Sequence, residues 1–135
     1  LKSSANPKQP DISVAECGYS RVLEIISNKW TALVIYAMEN GSIRYGEMNR
    51  IIVGISKKML TQTVRKLERD GVVQRHITPT VPPAVEYSLT PLGETLLQPM
   101  SELRQWGRIH FSHVETAREN YDKTNKKDAQ SKERS

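Results

Sequence analysis

A mainly α fold with one small β-hairpin is what the sequence predicts, and three observations carry that prediction. Successive stretches between Val14 and Trp106 repeat apolar residues at spacings of three and four, the interval of one helix face. Two short runs, Val72 to Thr78 and Val85 to Leu89, are rich in β-branched residues and flank the proline-rich loop TPTVPP, which reads as a hairpin with a stiff tip. Glycine, serine and threonine punctuate the joints between these stretches.

The elements follow in order. Residues 1–13 hold prolines and mostly polar side chains and read as a flexible arm; 14–118 is the expected folded domain; 119–135 is almost wholly polar and reads as a disordered tail. The first helix is expected from Val14 to Ser27, with Val22, Leu23, Ile25 and Ile26 on its apolar side. Asn28 caps a second helix whose apolar positions are Trp30, Leu33, Val34 and Ala37, and Gly41 ends it as a left-handed cap. Ile43-Arg44 forms a short extended piece. A third helix, Tyr45 to Ile52, buries Met48, Ile51 and Ile52.

After the turn Val53-Gly54-Ile55-Ser56, with Ile55 as a hydrophobic plug and Ser56 as N-cap, a fourth helix runs from Lys57 to Asp70. Its buried stripe is Leu60, Val64 and Leu67, and Gly71 stops it. Thr90-Pro91 starts a last helix carrying Leu92, Leu96, Met100, Leu103 and Trp106, with a kink expected at Pro99.

Composition narrows the function classes. A chain of 135 residues, 37% hydrophobic, supports one modest core and leaves little room for a deep catalytic cavity. The net charge of +5 favours an anionic partner such as nucleic acid. The single cysteine, Cys17, excludes an intramolecular disulfide framework and fits a reducing cytoplasm. No apolar run approaches the roughly 18 residues of a membrane span, and Leu1 to Glu16 lacks the apolar centre of a signal peptide. The expectation is a cytoplasmic protein with no membrane partner.

Two short helices joined by a Gly-containing turn, followed at once by a β-hairpin, make a winged helix-turn-helix. A recognition helix hides one face in its own domain and pushes the other into a major groove. With Leu60, Val64 and Leu67 inward, the fourth helix presents Lys57, Lys58, Thr61, Gln62 and Arg65, with Arg69 further along. These are cations for phosphates and polar forks for base edges: Gln pairs with adenine, Arg or Lys with guanine, and Thr meets a thymine methyl. Ser56 and the helix N-terminus favour phosphate. The wing offers Arg75, His76, Thr78 and Thr80 for backbone or minor-groove contact, and Arg44 and Tyr45 are further candidates for phosphate. An ordinary solvated face is the alternative for each of them, and a winged helix can also serve as a protein-interaction module without DNA. Paired catalytic residues, phosphate-binding glycine loops and nucleophile motifs are missing, so no enzyme and no cofactor is expected. His110 and His113 share a helix at spacing three but have no third ligand near in sequence, so no metal is expected.

The sequence resembles the HxlR-type family of winged-helix transcription regulators. The resemblance lies in Lys29-Trp30, the turn and helix GIS-x-x-x-L from Gly54, the wing VPP-x-VEYSLT-x-LG ending at Gly93, the Pro99-containing last helix and Trp106-Gly107; with Cys17 it covers about 17–110. Gly18 and Ser27-Asn28 depart from the family pattern. The resemblance implies a homodimer formed through the terminal helices and an inverted-repeat duplex DNA operator. A repressor is the leading expectation, with an activator as the alternative. The resemblance also implies sensing of an electrophile, oxidant or small thiol at Cys17. A helix N-terminus favours a thiolate, which can be alkylated or oxidised, whereas neighbouring Glu16 opposes ionisation. A buried structural thiol remains the alternative.

Overall fold

The computed structural model describes residues 17–26 and 28–134. The element order is α1 (Gly18–Ile25), α2 (Lys29–Ala37), β1 (Ile43–Arg44), α3 (Tyr45–Ile51), α4 (Lys57–Arg69), β2 (Val73–Thr78), β3 (Ala84–Leu89), α5 (Pro91–Glu94) and α6 (Leu97–Arg134). The predicted class, mainly α with a small β-sheet, is the class observed. Contacts divide the chain into two units, Leu1–Leu97 and Gln98–Ser135, where the sequence suggested one folded domain over 14–118.

The core of the first unit is built from Val34, Ile35 and Met38 at α2, Met48 of α3, Leu60, Val64 and Leu67 of α4, and Val72, Val73, Tyr87 and Leu89 of the wing. Three strands form it, in the order β1-β3-β2, all antiparallel. The extended piece Ile43-Arg44 is therefore a strand that pairs Ile43 with Tyr87 and Arg44 with Glu86, completing a sheet expected to have two strands.

Several expectations are corrected. α1 begins at Gly18, with Cys17 as its N-cap residue; residues 14–16 and Ser27, placed in this helix from sequence, lie outside the described residues. α1 buries no side chain, and its apolar Val22 and Leu23 are 42% and 59% exposed. In α2, Asn28 caps as expected, accepting from the Thr31 N–H at 3.1 Å. Its buried row, however, is Thr31, Val34 and Ile35, while Leu33 is exposed and Trp30 and Ala37 are half-buried. This helix is apolar on nearly all sides, so periodicity alone does not fix the face. Gly41 lies beyond the Met38 cap and closes the following turn instead. Ile51 is exposed, and Ile52 takes the inward position at the end of α3.

The turn into α4 is as expected. Ile55 is buried, and Gly54 has φ of +89°, a left-handed conformation that a side chain disfavours. At the far end, the Gly71 N–H donates to the Glu68 carbonyl and the Val72 N–H to the Leu67 carbonyl, closing α4 one residue earlier than expected.

The C-terminal helix is not kinked at Pro99. Thr90 caps the short α5, accepting from the Gly93 N–H at 3.0 Å with Pro91 at the first position. A turn through Thr95 and Leu96 then ends α5, and α6 begins afresh at Leu97. Pro99 sits in the first turn of α6, where its missing N–H has no helical partner to lose. Gly93 is needed on packing grounds: a Cβ there would overlap the Val72 carbonyl oxygen.

Within the second unit, α6 continues through residues 119–134, where the sequence suggested a disordered tail. No Gly or Pro follows Gly107, and Lys, Glu, Arg, Gln and Ala favour a helix even without an apolar stripe. α6 exposes Leu103, Trp106 and Ile109, with the Trp106 and His110 rings 5.4 Å apart.

Candidate nucleic-acid interface

α4 is an amphipathic helix whose two faces are cleanly separated. Leu60, Val64 and Leu67 are buried as predicted. Thr63 joins them; its hydroxyl donates to the Met59 carbonyl at 2.7 Å, which lets a polar side chain sit in the core. Ser56 accepts from the Met59 N–H at 3.0 Å and fixes the helix start. On the opposite side Lys58, Gln62, Arg65 and Arg69 are exposed, and Lys57 is exposed as the first residue of the helix. Together they carry four cations and one amide fork, the chemistry of phosphate and base-edge contact.

Thr61 and Tyr45 are tied to each other. The Tyr45 hydroxyl donates to the Lys57 carbonyl at 3.0 Å and lies 2.8 Å from the Thr61 hydroxyl. A phenol has one proton, so when it goes to the carbonyl Thr61 must be the donor of the second bond. Both hydroxyls are thus engaged within the protein, and Thr61, half-buried, keeps its methyl group for any outward contact.

The strand register splits the wing candidates. Arg75 pairs with Tyr87, on the sheet face that packs toward α4, and its guanidinium lies 3.7 Å from Glu68 of α4. His76 and Arg44 both pair with Glu86 on the other face, where the Arg44–Glu86 ion pair is also 3.7 Å. Thr78 alternates to the face of His76. Thr80 reaches back to the Pro82 carbonyl at 2.8 Å and stiffens the tip. No charged residue lies between His76 and Glu86, and Val81 at the tip is fully exposed. An open groove of about 690 Å³ runs beside the wing, lined by Tyr45, Arg75, Thr80, Pro82, Val85 and Tyr87 among others. Burial holds the Tyr87 phenol above its ordinary value, against the pull of Arg75.

Two further features involve α1. Cys17 is a half-buried free thiol at the N-cap of α1, where its side chain makes no capping bond. Lys66 of α4, which sequence reasoning did not single out, turns toward α1 and donates to the Glu24 carbonyl at 2.7 Å and the Ile25 carbonyl at 3.4 Å. Nothing in the spacing of α4 signals this contact, because its partner is backbone of another helix. Among the described residues no group of three His, Cys, Asp or Glu is placed to hold a metal ion, and no helix is long and apolar enough to cross a membrane.

This geometry agrees with the comparisons to known proteins. The family model of the HxlR-like helix-turn-helix matches residues 25–115, which span the helix-turn-helix, the wing and the first part of α6. The chain belongs to the HxlR-like helix-turn-helix family. Among the relatives of this HxlR-like chain, the HTH-type transcriptional regulator YkvN of Bacillus subtilis is 45% identical over 78% of this chain and 89% of its own. A transcriptional regulator of the MarR family from Porphyromonas gingivalis has a solved structure 42% identical to this chain. It covers 73% of this chain and 97% of its own, with a TM-score of 0.70. The redox regulator HypR in its reduced form is 37% identical over 74% of this chain and 99% of its own, with a TM-score of 0.71. HypR has also been solved in an oxidised form. The HxlR-like chain is accordingly a transcriptional regulator of the DNA-binding helix-turn-helix class. Cys17 lies outside the span that the family model matches.

Proposed function

We propose that this regulator is a homodimeric repressor that occupies an inverted-repeat operator in duplex DNA, with α4 as its recognition helix. The observation that carries the reading is the exposed row Lys58, Gln62, Arg65 and Arg69, set opposite the buried stripe of the same helix, with Lys57 exposed at its first turn. In a dimer, two such helices enter successive major grooves about 34 Å apart. Ser56 and the start of α4 approach a phosphate. Arg44, Arg75, His76, Thr78 and Thr80 position the wing, and Tyr45 and Thr61 hold the recognition helix to α3. The apolar side chains that α1 and α6 leave exposed support subunit contact through the terminal helices.

Cys17 is the proposed sensing thiol. The likeness to a redox regulator and the half-buried N-cap position support this reading. A peroxide would oxidise the thiol to a sulfenic acid and be reduced to water or an alcohol, and condensation with a small thiol would then give a mixed disulfide and water. Pairing of Cys17 with its symmetry mate, or alkylation by an electrophile, are the other chemistries open to a single thiol. The modified dimer must favour an arrangement that binds DNA less well, because only differential affinity shifts the equilibrium.

Selection of binders from a random duplex library, followed by gel shifts across a salt series, tests the DNA reading. An inverted repeat bound with a steep salt dependence is expected. If no sequence-dependent, salt-sensitive shift appears, the chain acts as a protein-interaction module instead. Sensing is tested by exposing wild type and Cys17→Ser to diamide or an aldehyde: DNA release by wild type alone is expected, and equal responses would remove Cys17 from the mechanism.

A further inference from the structure

We infer that Lys66 is a positioning residue that docks α1 onto the recognition helix. The inference rests on the reading of α4 as the DNA-contacting helix. α1 spans eight residues with no side chain fully buried; of its apolar residues only Ile25 is half-buried, while Tyr19, Val22 and Leu23 are exposed, so apolar packing holds it at one end only. Its C-terminal end supplies an attachment. A helix leaves its last carbonyls without backbone partners and concentrates partial negative charge there. The Lys66 ammonium meets two of those carbonyls, Glu24 at 2.7 Å and Ile25 at 3.4 Å, in charge-assisted bonds.

This separates Lys66 from the other cations of α4. Lys57, Lys58, Arg65 and Arg69 are exposed and keep their charge for phosphates; Lys66 is half-buried and directs its charge at the carbonyls of α1. α1 carries Cys17 at its start, exposed Tyr19, Val22 and Leu23 along its length, and the Lys66 contact at its end. Whatever displaces α1, a partner on those apolar side chains or a change at Cys17, has to pull its terminal carbonyls from the ammonium.

The test measures amide hydrogen exchange in the full chain for wild type, Lys66→Met and Lys66→Arg. The methionine keeps the apolar stem and removes the donors. The Arg21 and Ile26 amides, which donate to the Cys17 and Val22 carbonyls, report on α1. They should exchange at least about tenfold faster in Lys66→Met, while the amides of α4 keep their protection and Lys66→Arg lies between the two. If Lys66→Met fails to fold, Lys66→Gln takes its place. In parallel, binding to the duplex selected with wild type should keep its salt slope in Lys66→Met, because the lost charge was not on a phosphate. Unchanged exchange of the α1 amides would overturn the inference, and so would a salt slope smaller by about one. A wild type that selects no duplex would remove the DNA reading, while the exchange measurement would still decide the docking role.

Discussion

The Tyr45 phenol and the Thr61 hydroxyl lie 2.8 Å apart, so the first residue of α3 is bonded to the second turn of α4. The same phenol reaches the Lys57 carbonyl in the first turn. Tyr45→Phe removes both bonds and keeps the ring near Tyr87, whose centroid is 6.4 Å away. The expected loss of stability in urea melts is about 1 kcal/mol. DNA affinity should fall as α4 loosens, yet the salt slope should stay unchanged, because no cation is lost.

Glu86 stands across from both Arg44 and His76 and pairs with Arg44 at 3.7 Å. If this face meets DNA as proposed, an acid at that point competes with phosphate for the arginine and repels the duplex. Glu86→Gln should tighten binding to specific and unrelated duplexes alike, by a few-fold, and steepen the salt slope by up to about one. Gel shifts of both duplexes at three salt concentrations would check it.

Gly93 abuts the Val72 carbonyl, which joins α4 to the wing, so an added methyl group has no space. Gly93→Ala should cost about 1–3 kcal/mol through overpacking, read as a lower melting temperature. Gly46→Ala, where a Cβ meets nothing within 4 Å, serves as the control.

Tyr87 is held above its ordinary value by burial, so the folded protein favours the neutral phenol. Its contribution is fully present below the unfolded value and is lost as the pH rises through the folded one. Wild type should therefore lose melting temperature more steeply above about pH 10 than Tyr87→Phe does. Parallel slopes for the two proteins would count against this.

The elements legible in the sequence are those set by local chemistry. Leu60, Val64 and Leu67 mark the inner face of α4 because polar residues surround them, and Ser56 and Thr90 announce helix starts through side chains that bond their own next turn. Illegible elements depend on contacts distant in sequence. α2 offers apolar residues on several sides, and only the packing around it selects Thr31, Val34 and Ile35. Pro99 looked like a kink because its place within a helix follows from where that helix begins, and the turn at Thr95 and Leu96 settles that. The wing candidates Arg75 and His76 are neighbours in sequence but lie on opposite sheet faces, a consequence of strand alternation once the register is fixed. Lys66 reads as one more surface cation until α1 is placed beside it.

The central claim is that the exposed row of α4 reads duplex DNA, and paired substitutions on the selected duplex test it most directly. Gln62→Ala should reduce discrimination at one position of each half-site by about 1–3 kcal/mol, leaving binding to unrelated duplexes unchanged. Lys58→Ala should weaken all duplexes alike and lower the salt slope by about one for each protomer's lost contact. A Gln62→Ala protein with unaltered affinity and unaltered sequence preference would contradict the placement of this face in the major groove.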